Sequence, residues 1–283
     1  MPKQIGLSLI ISFYNKIDYL KLIFASLERQ TFKDFEVVIS DDGSRKDVLA
    51  ELKDLISSYS FPVQHVWHED NGWRKTTILN KAVIASKSDY LVFIDGDCIL
   101  HKEFLKEHYD HKKENVVLVG RRVNLSPKIS NALTYSKVKK GYLEKVKVLL
   151  SLAFDKMKGE SSHIENGIYI RSKFLRKYLN KKDKGILGAN FSIHKSDLLA
   201  INGFDERYIY AAVGEDSDIE VRLRLIGVTT QALKHCAVQY HIYHKTLERR
   251  KENLEIFNET ILNKTSYTLF GINKEERQSA REL

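Results

Sequence analysis

The chain's 283 residues are 43% apolar and 29% charged, a balance that excludes a disordered chain and suits one large folded domain or two small ones. A chain of this length buries about three quarters of its unfolded surface and needs neither disulfides nor a structural metal to fold. The formal net charge of +9 sits in one place, because residues 128–184 hold 15 basic and 5 acidic side chains while the remainder nearly cancels; only that segment offers a basic face to nucleic acid, an anionic membrane or a phosphorylated substrate.

The first 120 residues alternate strand and helix signals. Leu7 to Phe13 (LSLIISF) is an apolar, β-branched run bounded by turn residues, which predicts a buried strand. Tyr19, Leu20, Ile23, Phe24 and Leu27 recur at helical spacing within residues 18–29. Phe35 to Ser40 (FEVVIS) predicts a second strand, residues 46–58 a helix and Val63 to Trp67 a short strand. A helix over 75–86 and a fourth strand, Tyr90 to Ile94 (YLVFI), follow. Strands separated by helices of this length imply βαβ units and a mostly parallel sheet, which collects ligands at the carboxyl ends of its strands.

Residues 126–184 change character. They are basic, and Tyr142-Leu143, Val146, Leu149-Leu150, Ala153-Phe154 and Met157 predict one or two amphipathic helices inserted into the sheet topology. Beyond Gly185 the pattern predicts a strand near 187–194, a helix over 215–225, two short strands within 228–240 and a charged helix over 246–269. There is no internal repeat, low-complexity tract or linker. The expected organisation is one domain over 1–283: a first half (1–125), a basic helical insert (126–184), a second half (185–245) and a C-terminal helical segment (246–283).

The polar residues after each strand carry the chemistry. Strand one runs into Ser12-Phe13-Tyr14-Asn15, strand two into Asp41-Asp42-Gly43-Ser44 and strand four into Asp95-Gly96-Asp97-Cys98. A carboxylate at a buried strand end is costly unless it is capped, paired or metal-bound. Asp95 and Asp97 can aim two carboxylates at one point, with Gly96 allowing close backbone approach. Such hard oxygen ligands suit Mg²⁺ or Mn²⁺ with positions left for phosphates; an Asx-turn pair closing the strand is the plainer alternative.

Asp41 or Asp42 can accept hydrogen bonds from a nucleotide base or ribose, or the segment can be a tight turn with Ser44 as helix N-cap. Tyr14 can stack on a base or belong to the core. Gly214-Glu215-Asp216-Ser217-Asp218 opens a helix, where acids also gather because of the macrodipole. One of them can instead serve as a general base, a role that contributes on the order of 10²–10⁴ in rate. His241 and His244 follow a strand; on extended backbone they point to opposite faces, so joint ligation of one ion needs a turn between them. Cys98 and Cys236 have no partner pattern for nucleophilic catalysis and are expected in the core. A Walker loop, GxGxxG and a nucleophile elbow are all missing, which argues against nucleotide hydrolysis, dinucleotide chemistry and serine-esterase activity.

Taken in order, IISFYNK, VVISDDGS, FIDGDC and GEDSD resemble the family 2 glycosyltransferases. HEDNGWRKTTILNKAV and LGANFSIHKSDLLAINGFDERY are similar to the bacterial branch whose C-terminal half looks like that of the β-1,4-galactosyltransferases and chondroitin polymerases. The resemblance spans about residues 5–125 and 185–245. It implies an α/β chain with the GT-A (Rossmann-like nucleotide-sugar-binding) fold, a central mostly parallel mixed sheet, with the basic helical insert and a C-terminal helix added. It also implies roles: Tyr14 and one of Asp41 or Asp42 on the uracil of a UDP-sugar, Arg74 of Gly72-Trp73-Arg74 on the donor, and Asp95 on the ribose or a metal's water shell. Asp97 with His241 or His244 would hold Mn²⁺ or Mg²⁺, Asp216 would be the catalytic base and Glu215 would orient the acceptor sugar.

The activity so implied is inverting, metal-dependent transfer of a hexose or N-acetylhexosamine from a UDP-sugar to a hydroxyl of a saccharide or lipid-linked acceptor, in bacterial surface polysaccharide synthesis. Two departures stand out. Ser12 occupies a position that is usually proline, and Tyr210-Ala211-Ala212-Val213 replaces the tryptophan and glycine found before Gly-Glu-Asp, which alters the acceptor pocket rather than the chemistry.

Two other classes make different demands. A nucleic-acid-binding module acting through the basic insert predicts tight DNA or RNA binding, whereas the enzyme predicts Mn²⁺-dependent UDP binding and no nucleic acid. A sugar-nucleotide pyrophosphorylase needs an N-terminal glycine-rich, arginine-containing loop that this sequence lacks. Two cysteines fit a reducing compartment. With no apolar run near the ~18 residues of a membrane span and no signal-peptide order, the expected location is cytoplasmic. The basic insert can lie against an anionic inner membrane face, where each Lys or Arg gains about 1 kcal/mol.

Overall fold

The computed structural model describes residues 5–179, 185–211, 214–245 and 251–274. The chain runs β1 (Leu7–Phe13), α1 (Ile17–Leu27), β2 (Phe35–Asp41), α2 (Lys46–Ser57), β3 (Val63–Trp67), α3 (Lys75–Ala85), β4 (Tyr90–Asp95), β5 (Cys98–Leu100), α4 (Phe104–Asp110), β6 (Val116–Val119) and β7 (Arg121–Asn124). It continues through α5 (Pro127–Asn131), α6 (Tyr135–Lys139), α7 (Val146–Met157), α8 (Lys173–Leu179), β8 (Asn190–His194), α9 (Lys195–Ala200), α10 (Glu215–Leu225), β9 (Thr229–Ala232), β10 (Val238–His241) and α11 (Glu252–Asn263).

A seven-stranded sheet has the order β3-β2-β1-β4-β8-β6-β9. Its first four strands are parallel, and β8 runs antiparallel to both β4 and β6, so the sheet is mixed. Alternation along the strands explains why they are continuously apolar. Leu7, Leu9, Ile11 and Phe13 of β1 enter one cluster with Leu20, Ile23 and Phe24 of α1. Ile10 enters the other, with Leu79, Ala82 and Val83 of α3 and Ile219 of α10. Both faces are covered by helices, as a parallel sheet requires. Each such fully buried aliphatic or phenyl side chain contributes about 1.5–3 kcal/mol.

The strand order sets the site. The chain steps outward from β1 to β2 to β3, then returns to place β4 on the other flank of β1. This reversal opens a crevice beyond the carboxyl ends of β1 and β4. A second sheet, β5-β10-β7, stands beside that crevice. In it His241 pairs with Cys98 across the antiparallel β5–β10 ladder, so the end of β10 arrives next to Asp97.

The insert departs from expectation. Instead of one or two helices it breaks into α5, α6, a 3₁₀ turn (Tyr142–Glu144), α7, a second turn (Ile164–Gly167) and α8. Local signals divide it: Ser126 caps α5 ahead of Pro127, and Thr134 caps α6, each supplying the acceptor a helix N-terminus needs. Nor does it hang outside the core. Ile129, Leu133, Val138, Leu143, Val148 and Leu152 join Val123, Val238, Tyr240 and Ile242 of the small sheet in a third apolar cluster. Residues 180–184 of the expected insert lie outside the described residues.

The C-terminal helix is also shorter than the expected 246–269, spanning Glu252–Asn263 and stopping where Lys264 adopts a left-handed conformation (φ 50°). Residues 246–250 lie outside the described residues. Cys98 and Cys236 are both buried and free, as the sequence led us to expect.

Candidate active site

The loops after β1 and β2 are stapled together. Asn15 sits in the left-handed region (φ 57°); its backbone N–H donates to Ser44 Oγ (2.8 Å) and its Oδ1 accepts from Arg45 N–H (3.0 Å). Ser44 is therefore not the helix cap that its position suggested, and Arg45 occupies the N-cap of α2 without a side-chain bond. Gly43 (φ 94°) allows a further closure, since a Cβ there would lie 2.5 Å from Asp70 Cα. Asp70 in turn accepts a hydrogen bond from the half-exposed Tyr14 hydroxyl (3.0 Å).

Successive residues at a strand end point to opposite faces, and this separates Asp41, the last residue of β2, from Asp42, which follows it. Asp41 is fully buried, and its carboxylate is engaged by Ser44 N–H (2.9 Å) and by His65 Nε2 (2.9 Å). Asp42, 9% exposed, meets His68 Nε2 (2.8 Å) and accepts from Arg74 N–H (2.9 Å). Burial raises the Asp42 carboxyl above its ordinary range, partly offset by those two bonds. Arg74 contributes its backbone amide here, while its guanidinium turns to the Trp73 carbonyl (2.9 Å).

The Asp95-Gly96-Asp97 turn is drawn tight against β1. A Cβ on Gly96 would sit 2.3 Å from the Ser12 carbonyl oxygen, a clash no side chain survives without moving one of the strands. Asp97 Oδ2 lies 3.3 Å from His241 Nε2 and 3.2 Å from His244 Nε2, and the two imidazole nitrogens are 3.2 Å apart. Burial alone would raise the Asp97 carboxyl, but hydrogen bonds from His241 and His244 hold it well below the usual carboxylate range. The bond to Asp97 raises His244.

The two histidines are alternatives in the sequence, and the fold brings both to the same aspartate. Strand β10 ends at His241, and Ile242 N–H is fixed to the Asp97 carbonyl (2.9 Å), so the backbone turns and returns His244. The three ligand atoms lie within 4.8 Å of one another, a spacing and donor set that fit one divalent cation.

On the opposite wall, α10 begins at Glu215 immediately after Gly214 (φ 104°). Asp216 Oδ2 accepts from Gly188 N–H (2.7 Å). Burial, then the neighbouring Glu215 charge, push the Asp216 carboxyl up to about 7, with Lys75 acting in the other direction. Lys75 is the residue that the motifs did not single out. Its ammonium donates to Asp95 Oδ1 (2.9 Å) and lies 3.9 Å from Glu215, joining the two walls. Burial opposes its charge, but Asp95, Glu215 and Asp216 together raise it, so it stays protonated. Arg122 on β7 adds a second cation 3.7 Å from Asp95 Oδ2. A lysine at the first position of a helix is an ordinary surface residue by pattern; only the approach of the start of α3 to the start of α10, 3.9 Å between Lys75 and Glu215, brings it into the site.

Asp218, the last acid of the GEDSD stretch, belongs to the scaffold. It forms a buried pair with Arg222 (2.7 Å) and accepts from Thr260 Oγ1 (2.8 Å), while Arg222 also donates to the carbonyls of Ile201 and Gly203. Removing one partner of a buried pair leaves the other uncompensated. Asp218→Ala should therefore lower unfolding free energy by about 3–5 kcal/mol in urea titration, and an unchanged midpoint would refute the assignment. Tyr210 and Ala211 precede this helix, while Ala212 and Val213 lie outside the described residues.

With this geometry in hand, similarity to other proteins is informative. A chondroitin synthase from Escherichia coli is 22% identical over 240 residues, covering 83% of this chain and 34% of the synthase. The chain spans about a third or less of the length of several curated relatives it matches. Among solved structures, Staphylococcus aureus TarS 1-349 in complex with UDP-GlcNAc superposes with a TM-score of 0.58 at 18% identity, covering 91% of this chain and 66% of that one. GalNAc-T7 with UDP, GalNAc and Mn²⁺ gives 0.62 at 15%, covering 90% of this chain and 48% of that one. These likenesses establish the α/β GT-A fold. Residues 171–245 match the model described as the N-terminal domain of galactosyltransferase. Residues 8–179, more than half of the chain and the part that carries Tyr14, Asp42, Lys75, Asp95 and Asp97, match the family model, and the chain belongs to glycosyl transferase family 2.

Proposed function

We propose that the chain transfers a hexose or N-acetylhexosamine from a UDP-sugar to a hydroxyl of a saccharide or lipid-linked saccharide, with inversion and with a divalent cation, in the making of a bacterial surface polysaccharide. One observation carries the reading: a three-donor cluster, Asp97, His241 and His244, faces a carboxyl with a raised pKa, Asp216, across a crevice bridged by Lys75. The similarity to a chondroitin synthase, and to structures named for UDP-GlcNAc and for UDP with Mn²⁺, supports the same substrate class.

A cation held by Asp97, His241 and His244 would neutralise charge on the departing diphosphate. Two imidazoles beside one carboxylate suit Mn²⁺ better than Mg²⁺, which prefers oxygen ligands. Asp42 and the exposed Tyr14 ring flank the place for the uracil; Asp42 keeps 9% exposure, whereas Asp41 is fully buried against Ser44 and His65. Lys75 holds Asp95 in place and keeps positive charge beside Asp216. Asp216 takes the proton from the acceptor hydroxyl as that oxygen attacks the anomeric carbon and the sugar–phosphate bond breaks. Attack opposite the leaving group inverts the anomeric centre without a covalent intermediate, and Glu215 orients the acceptor.

The test is a screen of UDP-Gal, UDP-GalNAc, UDP-Glc and UDP-GlcNAc for UDP release. EDTA should stop release and Mn²⁺ restore it, and NMR of the product should show inverted configuration; retention would overturn the base role of Asp216. Lys75→Met gives a sharper check. Without the ammonium the Asp216 carboxyl should rise further, so the acidic limb of the pH–rate profile should move to higher pH as turnover falls. A reduced rate with an unmoved limb would mean that Lys75 acts only on the fold.

A further inference from the structure

Helix α7 is apolar on two sides. Its inner face, Val148 and Leu152, is buried with Val238, Tyr240 and Ile242 of the small sheet, and Asp155 accepts from the Ser126 hydroxyl (2.6 Å). Its outer face should then be polar if it met only water. It is not: Val146 is 71% exposed, Leu150 66%, Phe154 57% and Met157 84%. At 100° per residue these four positions fall on one stripe less than a quarter-turn wide. Nothing among the described residues covers it.

The exposed charges that α7 and its two caps carry beside the stripe are all basic. Lys147 and Lys158 border one edge, Lys145 and Lys156 the other, all four exposed. Lys158 Nζ lies 4.6 Å from the Phe154 ring centroid, and Lys156 keeps a loose ion pair with Glu165 (3.5 Å). An apolar ridge bearing an aromatic ring and rimmed on both edges by lysines is the arrangement of a helix lying in a lipid interface, with aliphatic stems following the ridge and ammonium groups reaching the headgroups. A second copy of the chain is a poor match, because a two-fold contact along this helix sets lysine rims against each other.

We infer that α7 docks on an anionic lipid bilayer, with Val146, Leu150, Phe154 and Met157 entering the headgroup–acyl boundary and the four lysines against anionic headgroups. The inference goes beyond the sugar-transfer reading and does not depend on it. The helix shares its core with β10, the strand that ends at His241, so the docked face is rigidly joined to the site.

The experiment is co-sedimentation of the 283-residue chain with vesicles of phosphatidylcholine alone and of phosphatidylcholine mixed with phosphatidylglycerol. Binding should require the anionic lipid and weaken with salt. A lysine near an anionic surface is worth about fivefold in binding, so Lys145→Ser/Lys147→Ser/Lys158→Ser should weaken it about 100-fold. Leu150→Ser/Phe154→Ser should weaken it at least tenfold, since two half-exposed side chains lose their burial in lipid. Both variants should melt at the wild-type temperature and release UDP from UDP-sugars in solution at the wild-type rate, because the stripe lies outside the crevice. That readout separates failure here from failure of the enzymatic reading. Equal binding to both vesicle types, or binding unchanged by Leu150→Ser/Phe154→Ser, overturns the inference. So does a concentration-dependent dimer that this pair of changes dissolves, which would give the face to a second copy.

Discussion

Asp216→Asn is expected to lower sugar transfer on the order of 10³–10⁴-fold, the upper part of what a positioned general base contributes. The amide keeps the side chain's shape and can still accept from Gly188 N–H, so the loss would be chemical rather than architectural. A base works only when deprotonated, and the Asp216 carboxyl is pushed up to about 7 by burial and by Glu215. Wild-type kcat/KM should therefore rise with pH through about 7 and level off above it. Its effect on stability has the opposite sense. A carboxyl whose folded pKa exceeds its unfolded value contributes stability at low pH and loses that contribution as pH rises through the folded value. At pH 8 the wild type carries the cost of an ionised, buried carboxylate that the amide does not. Asp216→Asn should thus melt at or above the wild-type temperature there while being nearly inactive. Wild-type-like turnover would remove the base assignment, and a lower melting temperature would move Asp216 to the scaffold.

The second large effect is at the other wall. Asp97→Ala should reduce transfer about 10³-fold or more, since several kcal/mol of charge stabilisation on the leaving diphosphate would go with the ligand set. Calorimetric titration of Mn²⁺ in the presence of UDP reads the same event without turnover. The wild type should bind one ion, Asp97→Ala should show no saturable binding, and His241→Ala and His244→Ala should each weaken it. Full-strength binding by Asp97→Ala would show that the cluster is not the cation site. Asp97 is held below the usual carboxylate range by hydrogen bonds from both imidazoles, and the bond to Asp97 raises His244; an imidazole must lose its proton to ligate an ion, so Mn²⁺ binding by the wild type should weaken as pH falls.

The parallel half of the fold was legible residue by residue. The near-continuous apolar, β-branched character of LSLIISF, FEVVIS and YLVFI is a property of each run alone, and the observed β1, β2 and β4 match those runs to within a residue. So do α2 and α3, whose apolar spacing and flanking turns are local. The acid-bearing ends of β1, β2 and β4 followed directly, because a parallel sheet puts its strand ends on one edge. What stayed hidden involved partners far away in the chain. The strands β5, β6 and β7 have 3 or 4 residues each, too few for any periodicity, and they exist because β8, β9 and β10 supply their hydrogen bonds.

The same division runs through the site. That Asp95, Asp97, Asp216 and the histidines belong to one chemistry could be argued from residue type and order. Which histidine meets Asp97, which of Asp41 and Asp42 is spent inside, why Asp218 is structural and why Lys75 matters could not. Each of those answers is a contact between segments roughly 20 to 150 residues apart, apart from the Asp218–Arg222 pair, whose meaning still comes from its burial against Ile201, Gly203 and Thr260. A residue's neighbours along the chain report whether it is buried or turned; only the packing of distant segments decides what it is buried against, and that burial, with the hydrogen bonds and charges met there, sets its proton affinity.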